Sequence, residues 1–600
     1  MAGLALVSAM LAGSCAEPRL EVAQAARPGA HVSVTDPTKR PAARLPLKPL
    51  DGHGHSGALI LARLGSRPVA LLADEDSRVV RVIEPDTHQE LSHVTLSGKP
   101  SQLVIAGDGR AYVALRDASR VVALEVTAEP RVTLQQAGEI TTASEPVSLA
   151  VTPAGDTLLV ASAWGKTLAL FRLADLSTRA TIWLPREPRG VVVSADGRFA
   201  YVSHAVGPSV SRVALDGAVA SPGGRLERSE VTLSGRDYTL GKAANDAPAQ
   251  PEDTTAEGAS GSPATRPGSA EHLRVAAQGF AIARLGEQTV VPLVLVHPNR
   301  ALASQLGAHR DYPAHQPALA MIDSNSGEAW LRVQHRGWAA SRPRGHFAGG
   351  ARRNNCFLPR AVAVDSMRGT LLVACLGSGE ILAYDASPRA LAQSWRGRWR
   401  VPAGPLGLAV DAAGGTALVW SQFDRSLSTI ELPKGPASAI PAPGPTGQPS
   451  QLPTKMTSLP PPAALGAVNR RLSSEAAIGR KFFHSTGQRR GAADGRSCAS
   501  CHPDGRQDGL IWPTPYGPRR TLTLTGPLDD SRGHQADGST GTHHPSRSAC
   551  PQLGEQPLTA AEVRVLVTYL RTLPAPTRPS HGAPSVDSDA RMASERRETP

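Results

Sequence analysis

One pattern returns along this chain and restricts its folding more than any other feature. PSQLVIAGDGRAYVALRDASRVVALEV begins at Pro100, PVSLAVTPAGDTLLVASAWGKTLALFRL at Pro146 and PRGVVVSADGRFAYVSHAVGPSVSRVAL at Pro188. PRAVAVDSMRGTLLVACLGSGEILAYD begins at Pro359 and PLGLAVDAAGGTALVWSQFDRSLSTIEL at Pro405. Neighbouring copies start 46, 42 and again 46 residues apart, a step within the range of blade-like repeats. Each copy has the same plan. An apolar run such as Leu149-Ala150-Val151 meets the turn Pro153-Ala154-Gly155-Asp156, then a second run, Leu158–Ala161, a polar turn and a third, Leu168–Phe171. Asp-Gly and Gly-Asp pairs between β-rich runs are hairpin signals, because glycine tolerates positive φ. A single blade of this kind cannot bury both faces, whereas blades stacked around an axis can.

The segments DGRAYVA, DGRFAYVS and GDTLLVAS resemble the YVTN-type β-propeller repeat. Five copies are clear, a divergent one lies near 67–85, and another falls within about 278–335, so an all-β propeller of about seven four-stranded blades is expected over residues 56–432. That resemblance implies architecture and says little about activity.

With 57 glycines and 52 prolines in 600 residues, the chain suits short strands, tight turns and linkers. Residues 217–270 are rich in Pro, Ser, Ala and Gly without an apolar period, and read as an unstructured insertion between blades. Residues 16–55 read as a Pro-rich lead. Residues 433–465 read as a Pro-rich linker holding the last domain, 466–575, at a distance, and 576–600 as a polar tail. The formal charge of +12 comes from scattered arginines. No Lys/Arg run interleaved with aromatics is present, so nucleic acid is not expected as a partner.

The first fifteen residues, MAGLALVSAMLAGSC, form an apolar stretch too short to span a bilayer. They read as an export signal, and Ala12-Gly13-Ser14-Cys15 resembles the lipobox of bacterial lipoproteins. A lipid on Cys15 would anchor the chain to a membrane, giving a periplasmic or cell-surface protein. A buried or cleaved-off cysteine of no consequence is the other reading.

Chemistry concentrates near the C-terminus. Cys498-Ala499-Ser500-Cys501-His502 is the C-x-x-C-H pattern of c-type haem attachment. Two thiols three positions apart add to the two vinyl groups, and the adjoining histidine supplies the proximal imidazole. One covalent haem c is therefore expected on Cys498, Cys501 and His502, with His502 as iron ligand. A zinc site would want a second Cys/His pair, and only Cys550 with scattered histidines remains. A redox dithiol would sit in a βαβ pattern, which is absent.

The flanks point the same way. SSEAAIGRKFF, from Ser473 to Phe483, looks like a first helix, and Thr559-Ala560-Ala561-Glu562 is a capping box. Val563, Leu566, Val567 and Leu570 then follow on one helical face. GRKFF…SCASCHPDGRQDGLIW…GPRRTLTLTG is similar to the cytochrome c domains of the di-haem cytochrome c peroxidase and MauG-like family. The resemblance implies a small all-α domain whose first and last helices cross, with Gly479 against Tyr569 as the expected crossing pair. A single C-x-x-C-H departs from the two haems of that family. For the sixth iron ligand, His484, His534, His543, His544 or none stay open.

Other residues carry weaker expectations. Cys356 and Cys375 would form a disulfide in an exported protein, or remain buried thiols. His53 and His55 read as a metal pair or a solvated loop. Trp512 is expected near the haem edge, and Arg519 and Arg520 either reach a propionate or stay solvated. Arg489, Arg490, Arg496 and Arg506 form a basic cluster that would steer an acidic redox partner, or simply surface charge. The resulting expectation is an exported one-electron carrier with the propeller as docking or recognition platform. A haem peroxidase of the MauG-like type, and a scaffold with a vestigial haem domain, are the alternatives.

Overall fold

The computed structural model describes residues 45–50, 57–128, 131–216, 226–233, 274–298, 315–333, 356–386, 395–434, 451–462, 472–486, 496–514, 517–525 and 558–574. Seven antiparallel sheets follow one another along the chain. Blade 1 spans 47–95, blade 2 100–141, blade 3 146–183, blade 4 188–232, blade 5 275–333, blade 6 359–400 and blade 7 405–458. This is a seven-bladed β-propeller. Blades 2, 3, 4, 6 and 7 have four strands, while blades 1 and 5 have five.

The repeat seen in the sequence is a repeat of backbone. Gly109, Gly155 and Gly197 close the same hairpin turn in blades 2, 3 and 4 with φ of 76°, 75° and 76°. Only glycine adopts that region without strain. In blades 2, 3 and 6 the second strand is buried throughout, as in Ala111–Leu115, Thr157–Ser162 and Thr370–Cys375, because both its faces pack on neighbouring blades.

The outer strands differ, and they correct three sequence boundaries. Leu47–Pro49, inside the expected lead, pairs with Ala62–Leu64. Glu227–Thr232, inside the expected insertion, is the fourth strand of blade 4, and the rest of 217–270 lies outside the described residues. Lys455–Ser458, inside the expected linker, is the fourth strand of blade 7. The cause is common to the last two. An outer strand faces solvent, so it needs pairing partners for its backbone but no apolar run. ERSEVT is mostly exposed for that reason.

The ring closes without a shared strand among the described residues. Leu59, Leu61, Leu72 and Ile83 of blade 1 interlock with Leu418, Trp420, Leu427 and Leu459 at blade 7. Burying one such side chain contributes about 1.5–3 kcal/mol. Gly407 permits the approach, since a Cβ there would lie 2.9 Å from that of Leu59. Asp74, fully buried, ties the seam through Arg425 at 2.6 Å and Arg81 at 3.3 Å. The His88 ring reaches across to Thr429 at 2.7 Å and Thr457 at 3.0 Å.

The first strand of blade 5 is broken into Val275–Ala277 and Ala283–Leu285, both pairing with Gln288–Val296. Residues 278–282 leave the sheet between them. Blade 6 carries the Cys356–Cys375 disulfide. Among the described residues three α-helices follow the propeller: α1 (Ser474–His484), α2 (Cys498–Cys501) and α3 (Ala560–Leu570). Ile511–Thr514 and Gly517–Arg520 form a hairpin between α2 and α3, so this C-terminal module is not purely helical as expected.

Candidate functional site

The module is folded from its own capping signals. Ser473 Oγ accepts from the Ala476 amide at 3.1 Å to start α1. Thr559 and Glu562 cap α3 reciprocally, with Thr559 N donating to Glu562 Oε2 at 2.7 Å and Glu562 N to Thr559 Oγ1 at 3.3 Å. The two helices cross at Gly479. A Cβ there would drive into the Val565 carbonyl oxygen and come within 2.8 Å of the Tyr569 Cβ, so Gly479 and Tyr569 are the crossing pair.

The linker does not hold this module at a distance. Phe483, Ala499, Leu566, Tyr569 and Leu570 form one apolar cluster with Leu358 and Leu376 of blade 6, and Cys498 packs against it. Trp512 joins Ala277, Val294 and Val296 of blade 5, with Cys501 and Leu510 at the edge. The broken strand of blade 5 meets the module directly, where Gln278 Nε2 donates to the Ser500 carbonyl at 2.8 Å.

α2 is one turn long. Ser497 N donates to Ser500 Oγ at 3.0 Å, and His502 N to the Cys498 carbonyl at 2.9 Å. Cys498 and Cys501, both thiols and half-buried, are three positions apart and therefore share a face. His502 Nδ1 donates to the Leu522 carbonyl at 2.8 Å. A carbonyl only accepts, so this bond places the proton on Nδ1 and gives Nε2 the lone pair. Burial pushes the His502 imidazole down to about 4, which keeps it neutral. The donor set fits a c-type haem, with two thiols on one turn beside a neutral imidazole whose tautomer is fixed by a second group. Among the described residues, no three His, Cys, Asp or Glu side chains converge as a metal cage.

Immediately after His502 the chain turns sharply. Asp504 has φ of 52° and Gly505 of 77°, and a Cβ on Gly505 would meet Leu573 at 2.5 Å. This left-handed pair aims Asp504 at the propeller. Its carboxylate lies 2.8 Å from Arg116 of blade 2 and 3.1 Å from Arg189 of blade 4. Burial alone would raise the Asp504 carboxyl. The charges of Arg189, Arg116, Arg360 and Arg506 outweigh it and hold the group well below the usual carboxylate range. Arg506 in turn pairs with Glu145 at 2.7 Å and Glu187 at 2.8 Å. Arg480 of α1 binds Asp76 at 2.9 Å through both terminal nitrogens.

The fold places several of the side chains singled out in the sequence. Arg506 is committed to internal ion pairs and is not open to an acidic partner. Arg496 is buried. Trp512 sits beside Cys501, its Nε1 donating to Asp508 at 2.8 Å and its ring stacked on His315 of blade 5 at 5.8 Å. His484 is buried among Phe423, Phe483 and Tyr569, with Nδ1 donating to the Arg480 carbonyl at 2.8 Å. Arg520 is exposed. Cys15, His53, His55, Arg489, Arg490, His534, His543, His544 and Cys550, and the side chain of Arg519, lie outside the described residues.

The propeller residues Arg116, Glu145, Glu187, Arg189, Gln278 and Arg360 were not anticipated. One signal was present. Glu145 and Glu187 each precede the proline that opens a repeat, so they occupy the same corner of adjacent blades, and both have positive φ there.

No family model matches the chain, and no curated protein sequence matches it. Among solved structures, Kuenenia stuttgartiensis hydrazine synthase is similar over 66% of this chain and 98% of its own, at 13% identity and a TM-score of 0.40. A functionally unknown protein from Desulfotomaculum acetoxidans is similar over 62% of this chain and 96% of its own, at 12% identity and a TM-score of 0.40. Likeness this distant carries no functional argument.

Proposed function

We propose that this chain is an exported one-electron carrier holding a single covalent haem c on Cys498 and Cys501, with His502 Nε2 as the proximal ligand. The observation that carries the reading is the His502–Leu522 hydrogen bond beside two thiols on one turn. When bound, the haem supplies a reversible one-electron Fe(III)/Fe(II) couple. The protein's part is positional. Leu522 orients the imidazole, the packing of Cys498 and Cys501 against blades 6 and 5 fixes the attachment edge, and the Asp504 ion pairs hold the whole module on a rigid ring.

The crossing of α1 and α3 at Gly479 supports reading the module as a cytochrome c domain, and the equal turn glycines support a YVTN-type repeat. The Cys356–Cys375 disulfide suits an oxidising compartment, in keeping with export and with a lipid on Cys15. The propeller then serves as the docking platform for a redox partner.

The test is protein matured in a haem-attaching host, examined by absorption in both redox states, by pyridine haemochrome assay and by intact mass. One haem c per chain is expected, lost in Cys498→Ser/Cys501→Ser. High-spin, five-coordinate iron with peroxide turnover would move the assignment to a peroxidase. A colourless protein whose mass lacks the porphyrin overturns it.

A further inference from the structure

Four guanidiniums meet where the module docks on the propeller, and three of them have carboxylate partners. Arg116 pairs with Glu145 and Asp504, Arg189 with Glu187 and Asp504, and Arg506 with Glu145 and Glu187. The fourth, Arg360, is different. It is the second residue of the blade 6 strand Pro359–Asp365, two positions after Leu358, which packs in one cluster with Ala499 and Cys498. Its guanidinium carbon lies over the Phe280 ring, 3.4 Å from the centroid. Both terminal nitrogens are shut off from solvent, although part of the side chain is exposed, and neither has a hydrogen-bond partner among the described residues.

An arrangement like this is costly. A buried donor without an acceptor costs about 1–3 kcal/mol, and more when charged. Burial pushes Arg360 down to about 10 against the pull of Asp504, with Arg189 and Arg116 repelling it further. Stacking on Phe280 satisfies the face of the guanidinium but none of its edge donors. Four cations also face only three paired anions. Glu75, whose charge acts on Arg116 and Asp504, is pushed up by burial, so it is a poor fourth. Among the described residues the carboxylates that pair with these guanidiniums leave Arg360 out, and its planar fork of N–H groups selects a carboxylate.

We propose that Arg360 of the propeller is a carboxylate-binding residue at the edge of the Cys498–Cys501 site. The carboxylate comes either from a haem propionate or from a small free carboxylate. The propionate source rests on the haem reading, while the site itself does not.

Two arms separate the sources. In matured protein, the midpoint potential is measured from pH 5 to pH 8 for the unaltered chain, Arg360→Gln and Arg360→Lys. If the partner is a propionate, removing the cation leaves an uncompensated negative charge near the iron. The midpoint then falls and gains a slope with pH in Arg360→Gln, and Arg360→Lys recovers part of the loss. In the second arm, haem-free Cys498→Ser/Cys501→Ser protein is titrated with acetate and followed by thermal melting. Acetate-dependent stabilisation, weakened about tenfold by Arg360→Gln, assigns the site to a free carboxylate. This arm decides even if no haem is ever attached, and its unaltered-Arg360 titration does not depend on an Arg360 variant folding. Unchanged potentials together with no acetate effect overturn the proposal.

Discussion

Asp504 and Arg116 are 388 positions apart in the chain and 2.8 Å apart in the fold. The pair joins the residue two after the C-x-x-C-H motif to the turn after the second strand of blade 2. Together with Arg189 it makes one carboxylate the electrostatic pin between module and propeller.

Removing that pin should undock the module before it unfolds the ring. Asp504→Asn leaves Arg116 and Arg189 facing each other without their shared counter-ion. Breaking a buried pair from one side costs roughly 3–5 kcal/mol, and the low end applies because Arg116 is 26% exposed. Differential scanning calorimetry should show an early module transition separated from an unchanged propeller transition. A single transition at the original temperature would contradict this.

Gly479→Ala sets two effects against each other. Helix propensity alone predicts a gain of about 1 kcal/mol, because alanine is the better helix former. The added methyl, however, meets the Val565 backbone carbonyl, which cannot rotate away, and overpacking of this kind costs about 1–3 kcal/mol. The clash should win. Chemical denaturation is expected to show a net loss, whereas a gain would mean that the helices do not cross here.

Stability should fall as pH drops from about 6.5 towards 4. Burial, with a smaller contribution from Lys455, pushes His88 down to about 4, and burial does the same to His204 and His484. In the unfolded chain these imidazoles take up protons near 6.5. The unfolded state therefore binds more protons through that window, and the folded state loses ground as pH falls. His88→Gln should flatten part of the slope. Asp504 works in a lower window. Its depressed value means that its contribution is complete above about 4 and is lost only on further acidification. Melting temperatures at pH 7 and pH 5 check the first window, and equal values would refute it.

Legibility followed burial. The inner strands of the blades were readable because each must carry apolar side chains on a fixed period, and the turn between them needs glycine at one place. Lys455–Ser458 and Glu227–Thr232 were not, since a solvent-facing strand is specified by the backbone edge beside it rather than by its own residues. The cap at Thr559 was readable because it depends on neighbours within one helix, whereas the crossing at Gly479 was expected only through the family resemblance. His484 could be singled out as a histidine, but not its burial among Phe423, Phe483 and Tyr569, which arrive from three segments.

By itself, the sequence determined the blade repeat and the clustering of Cys498, Cys501 and His502, because both are short-range patterns fixed by a residue's immediate neighbours. Tertiary structure alone decided that the module lies on the propeller, that Leu522 sets the tautomer of His502, and that Arg360 is left with a buried, unanswered charge. Those outcomes depend on charges and carbonyls brought together across separations from 20 residues, for His502 and Leu522, to 388, for Arg116 and Asp504, and a Coulomb interaction or hydrogen bond acts over a few ångströms of space whatever the separation in sequence.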